Sequence, residues 1–186
     1  MGGVGVILIG VVLILAQLPR LLGRPPAPAP AVGSGSQAAA EEARKITATL
    51  FFVSEAGTEL VPVTQDVLYG STPAAQARRI AEAQLQAAPA GLSSAIPAGT
   101  TVHAVYLTSR GEAYVDVSRE MIANHSGGSM NEALAVYALV NAMIVNLPDV
   151  SAVQILVDGK EVDSIAGHLD LRQPLRRSTE WVRKGQ

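Results

Sequence analysis

From Gly2 to Leu18 the sequence GGVGVILIGVVLILAQL carries one polar side chain, Gln17. As a helix these residues rise about 25 Å at roughly 1.5 Å each, the short end of a membrane span. Leu21 and Leu22 can lengthen the run. A run with no polar face is not a core helix of a globular domain. No Lys or Arg precedes it and no good small-residue cleavage site follows closely, so it reads as an uncleaved single-pass anchor over residues 2–22 rather than a signal peptide. Arg20 and Arg24 follow the span; taken alone, the positive-inside rule would leave the C-terminal part in the cytoplasm, on a bias of only two charges.

Behind the anchor, RPPAPAPAVGSGSQAAAEEAR is a tether of Pro-Ala and Gly-Ser pieces over about residues 23–44. The folded domain then spans residues 45–175, with a basic tail over 176–186. The 186-residue chain has a net charge of −2 and no cysteine. That balance argues against a general nucleic-acid binder, and the missing cysteine excludes disulfides, thiolate chemistry and a lipid-modified cysteine. With one Trp, two Phe and four Tyr, little material is left for stacking sugars or bases.

Within the domain, ITATLFFVS (46–54) and ELVPVTQDV (59–67) read as strands, with Pro62 marking an edge. Ser71 or Thr72 caps a helix that has Pro73 in its first turn and runs to about Ala88. TTVHAVYLT (100–108) and EAYVDVS (112–118) flank Ser109-Arg110-Gly111, a hairpin signal. SAVQILVD (151–158) ends in the turn pair Asp158-Gly159. The order ββαββαβ predicts an α+β domain: a two-layer mixed sheet with two helices on one face.

The stretch HSGGSMNEALAVYALVNAMIVNL (125–147) admits two readings. In one, Ser129 is a helix N-cap and Glu132 completes a capping box, with Gly127 and Gly128 turning the chain into the helix. In the other, the glycines and free N–H groups hold an anion. Glu132 would oppose a phosphate there and no lysine is near, which favours capping. His103, His125 and His168 are scattered and form no triad pattern. His168 and Asp170 share a strand-like spacing but lack a second pair for a metal, so His168 is expected to pack its ring and bond locally. Asp116, Asp158 and Asp163 read as strand-end and turn residues. The tail cations Arg176, Arg177, Arg183 and Lys184 read as a solvated, partly disordered end, or else as a surface for an anionic partner.

Several blocks together resemble the GerM-type (GerMN) domain, named for sporulation and spore germination proteins. They are LFFVS and LVPV, Gly91-Leu92, Ile96-Pro97-Ala98-Gly99-Thr100, AYVDVS, GGSMNE with its helix, VQILVDG and AGHLDL, in order from Ile46 to Leu175. The resemblance implies a small α+β module, similar to the ring-building motifs of envelope machines, held outside the cytoplasmic membrane. It implies assembly near peptidoglycan or with envelope proteins, a second copy included, and no enzymatic activity, metal, cofactor or catalytic residue. Gly127, Gly128, Ser129, Glu132, Gly159, Gly167, His168 and Asp170 are then fold determinants. The chain departs from lipoprotein members in lacking cysteine, and from some relatives in having one copy of the domain. Three functions compete: a scaffold whose open strand edges accept a neighbour, a wall hydrolase using His168, Asp170 or Ser129, and a small-ligand sensor.

Overall fold

The computed structural model describes residues 44–184. The anchor expected over 2–22 and nearly all of the expected linker lie outside the described residues. Among the described residues, no helix is long and apolar enough to cross a membrane.

Strands β1 (Lys45–Val53) and β2 (Leu60–Leu68) pair antiparallel along their full length, from Lys45↔Leu68 to Val53↔Leu60. Helix α1 (Pro73–Gln84) starts as its sequence predicts: Thr72 Oγ1 accepts from the Ala75 N–H at 3.1 Å, and Pro73 fills the first turn. It ends four residues short of Ala88. A hairpin follows, β3 (Val102–Leu107) and β4 (Glu112–Val117). Then come a short helix α2 (Glu120–Ala123), the long helix α3 (Ser129–Asn146), β5 (Ala152–Val157) and the two-residue β6 (Lys160–Glu161). Asp158 and Gly159 both take positive φ (49° and 74°), as a tight two-residue hairpin turn requires.

The strands form two sheets, β1-β2 and β3-β4-β5-β6, and not the single sheet the sequence suggests. β4 and β5 run parallel, joined by the α3 crossover. Both helices serve both sheets: α1 packs against β3 and β2, and α3 against β1, β5 and α1. From Ala133 to Met143, α3 is buried on nearly all sides. That explains its almost wholly apolar sequence, which carries no wide polar face. Leu50, Phe52, Ile80, Val115, Leu134, Leu139, Met143 and Ile155 make the common core, none more than 2% exposed.

Why the sheets stay separate is legible at their edges. The edge of β1 away from β2 presents the polar backbone groups of Thr49, Phe51 and Val53, and each is met by something other than a strand. Asn146 accepts from the Thr49 N–H at 2.8 Å and donates to its carbonyl at 2.7 Å. Gln84, fully buried at the end of α1, does the same for Phe51 at 2.9 and 2.7 Å. Ser93 exchanges both backbone bonds with Val53. Helix α1 ends at Gln84, with Leu85 as its cap residue. On β3, the Arg78 guanidinium donates to the carbonyls of Val102 and His103 at 3.1 and 2.8 Å.

The tail expected to be solvated is instead a strap across the fold. Leu175 exchanges backbone bonds with Val153 of β5. Ser178 bonds through its N–H and carbonyl to Asn141, a fully buried amide in the middle of α3. The Trp181 carbonyl and the Arg183 N–H then close on Leu60 at the outer edge of β2. Beyond Leu60 that edge carries Pro62, which has no N–H, and the charged Asp66. Both discourage strand addition. The edge of β1 and the start of the β2 edge are therefore closed to a neighbour.

Replacing Gln84 by Ala is expected to lower the midpoint of thermal unfolding clearly. It leaves the Phe51 N–H and carbonyl unpaired, at about 1–3 kcal/mol for each buried group. Circular dichroism melting of the full chain reads the shift.

Candidate functional site

The family-like motifs meet in space pairwise, and Glu132 joins two of them. Helix α3 begins at Ser129 with Gly128 (φ 87°) as its cap residue, and no side chain caps it. The capping box does not form. Glu132 is 0% exposed and faces inward, too deep to reach back to Ser129. Its Oε1 accepts from the N–H groups of Ile165 and Ala166 at 2.8 and 2.9 Å, and its Oε2 from that of His168 at 2.8 Å. Burial works to raise this carboxyl. The backbone N–H groups of Ala166, His168, Ile165 and Leu169 outweigh it and hold the group below its ordinary range. The start of α3 adds a favourable dipole for a negative charge. Glu132 thus clamps the GGSMNE block onto AGHLDL.

His168 enters this arrangement through its backbone alone. Its side chain is exposed, contrary to the expected local packing. Asp170 faces solvent with Arg172, whose Nε and Nη2 donate to Oδ1 and Oδ2 at 2.9 and 2.7 Å. Those bonds hold the Asp170 carboxyl well below its ordinary range. Gly167 supplies a positive φ (88°) within the same loop.

A second junction ties AYVDVS to VQILVDG. Asp116, 8% exposed, accepts from the Gly159 N–H at 2.7 Å and fixes the β5–β6 turn. His103 Nδ1 lies 3.9 Å from Asp116 and 3.8 Å from Asp158. The strand register shifts at His103, which removes it from the regular alternation expected there. Among the described residues, no group of three His, Cys, Asp or Glu side chains is placed to hold a metal ion.

The third junction leaves an opening. The loop 93–98 and the α2–α3 loop 124–128, with Asn131 beside it, enclose a cleft of about 480 Å³. Its apolar lining is Val53, Ala95, Ile96, Pro97, Ala98 and Leu134. Its polar lining is Ser93, Ser94, Asn124, His125, Ser126 and Asn131, and no Asp, Glu, Lys or Arg takes part. Asn124 Nδ2 donates to the Ala98 carbonyl at 2.7 Å, bracing one wall on the other. Asn131 Nδ2 donates to the Gly127 carbonyl and to Ser126 Oγ at 3.0 and 3.1 Å. His125 Nδ1 accepts from the Gly127 N–H at 3.0 Å. Gly127 and Gly128 have open space where a Cβ would project. Sequence reasoning places His125 in a loop and misses the cleft, whose walls come from segments about 30 residues apart. The one available signal is the pair of uncharged polar runs, Ser93-Ser94 and Asn124-His125-Ser126.

A clamped central helix, partly closed strand edges and an uncharged cleft define a compact α+β module. The chain belongs to the Germane family of sporulation and spore germination, whose model matches residues 49–163, more than half its length. Three solved structures share the fold. The tandem GerMN domains of the sporulation protein GerM from Bacillus subtilis superpose with a TM-score of 0.56 at 19% identity, over 72% of this chain and 46% of theirs. This chain thus spans about half of that tandem structure. The first GerMN domain of the same protein gives 0.53 at 18% identity, over 71% of this chain and 98% of that domain. A candidate lipoprotein from Clostridium perfringens gives 0.52 at 19% identity, over 73% and 89%. No curated protein matches the sequence.

The Glu132 clamp carries a pH signature. A carboxyl held below its ordinary value of 4.5 contributes stability that is fully present above that value. This contribution is lost as pH falls through the folded-state value. Glu132→Gln removes the charge and puts an amide NH2 where one of the two accepting oxygens was, against the His168 N–H or those of Ile165 and Ala166. Its melting temperature is expected to lie below that of the parent at pH 7, with the gap narrowing as pH drops below about 4.5. Glu132→Ala, which leaves one buried and two partly buried N–H donors unpaired, at about 1–3 kcal/mol for the buried one, is expected to lower the melting temperature at pH 7 clearly in a domain worth about 5–15 kcal/mol.

Proposed function

We propose that this chain is a membrane-anchored, extracytoplasmic binding module of the bacterial cell envelope, acting in assembly and without turning over a substrate. The observation that carries the reading is the uncharged cleft between the 93–98 and 124–131 segments. Family membership supports a link to sporulation, germination or a related envelope process. The apolar run from Gly2 supports an anchor, and the Pro-Ala tether supports a domain held clear of the bilayer. The partner is peptidoglycan or an envelope protein, a second copy of this chain included. No cofactor or nucleic acid enters this reading.

Strand addition needs a free ladder, and here Asn146, Gln84, Ser93, Arg78 and the C-terminal strap occupy part of the edges of β1, β3 and β2. Recognition through the cleft needs no free edge. The strap cations Arg176, Arg177 and Lys184 are exposed and offer a weaker, electrostatic contact.

Sedimentation of the detergent-solubilised chain with purified peptidoglycan sacculi tests the reading, alongside crosslinking in intact cells. Pelleting that survives added salt is expected for recognition through an uncharged cleft, since screening weakens contacts between exposed charges. Pelleting abolished by moderate salt would assign the contact to the strap cations. Absence of both pelleting and any crosslinked envelope protein would contradict the proposal.

A further inference from the structure

We infer that the cleft takes an extended, uncharged peptide segment made of small residues. The inference rests on the binding-module reading and names the ligand class of that site. Three bonds to the backbone fix what the cleft can offer. A carbonyl only accepts, so the carboxamide nitrogens of Asn124 and Asn131 must face Ala98 and Gly127. Both Oδ1 atoms then remain as acceptors, without a partner among the described residues. A backbone N–H only donates, so His125 Nδ1 carries no proton in its bond from Gly127. The neutral imidazole therefore holds its proton on Nε2, as a donor. Two amide acceptors, one ring N–H and the amphoteric hydroxyls of Ser93 and Ser126 match alternating N–H and C=O groups, which is what a peptide backbone presents.

The remaining surface selects among peptides. No lysine, arginine or carboxylate lines the cleft, so a charged side chain entering it would shed water with nothing to pair against. The apolar contacts come from Ala95, Ala98, Pro97, Ile96 and Leu134, suited to methyl-sized side chains and not to rings. No aromatic residue lines it, so a pyranose would find no face to stack on. The volume of about 480 Å³ lies within the range of small-ligand sites and suits a few small residues.

Titration of the full chain in detergent micelles with acetyl-tetra-alanine amide, followed by calorimetry, tests the inference. The probe is expected to bind with one site. A version with a central lysine, and the variants Ala98→Arg and Ser93→Arg at exposed lining positions, are each expected to weaken binding about tenfold or more. Both variants should melt like the parent, since neither replaces a buried side chain. Binding of N-acetylglucosamine trimer with no binding of the peptide would overturn the peptide assignment. Binding of neither, in a chain that still pellets with sacculi or crosslinks in the envelope, would overturn the cleft assignment and leave the module reading standing.

Discussion

A buried carboxylate one turn into the central helix organises this domain. Glu132 sits on α3, the helix shared by both sheets, and it grips a loop 33 to 36 residues further on. A lone buried charge would be costly. Three short backbone bonds and the helix start make it tolerable, and in return the loop after β6 is held without secondary structure of its own. The same loop delivers Leu171 into the core, where its carbonyl accepts from buried Gln154 at 2.6 Å. Through Gln154 the clamp reaches β5, and the strap that starts just beyond reaches α3 and β2.

Neutral amides do the corresponding work on the other sheet. Gln84 and Asn146 each satisfy both an N–H and a carbonyl of β1, replacing a neighbouring strand, and Asn141 bonds the N–H and carbonyl of Ser178 in the strap. Such two-point bonds fix register and deny the edge to other chains. The domain therefore stays as two small sheets bridged by helices. Its polar side chains are largely spent on its own backbone. The cleft differs because its amides and imidazole are only half spent, with one end on the frame and the other facing the opening.

Much of this was legible in the sequence. Strand-like runs marked β1, β2, β4 and β5, and Ala113, Val115 and Val117 are buried on one face of β4. Thr72-Pro73 and Asp158-Gly159 announced a helix start and a turn by local chemistry alone. The α+β class and the family followed from blocks in order. What failed was non-local. Ser-x-x-Glu reads as a capping box because the alternative partner of Glu132 lies more than thirty residues away. Gln84 looks like one more helical glutamine until β1 arrives beside it. The basic strap looks solvated because Leu175, Ser178 and Trp181 bind through backbone atoms, which leave no pattern in side chains. The cleft is hidden for the same reason, as two loops that meet only in the fold.

Hydrogen exchange of individual backbone amides tests the central claim, that Glu132 locks the 165–168 loop into the core while the cleft loops stay open. The account predicts that the amides of Ile165, Ala166 and His168 exchange near pH 6 as slowly as those in the middle of α3. Those of Ala95 and Ser126, which have no protein partner among the described residues, should exchange at the rate of exposed loops. Equally fast exchange at all five positions would mean that the carboxylate does not hold the loop, and the account would fail at its first step.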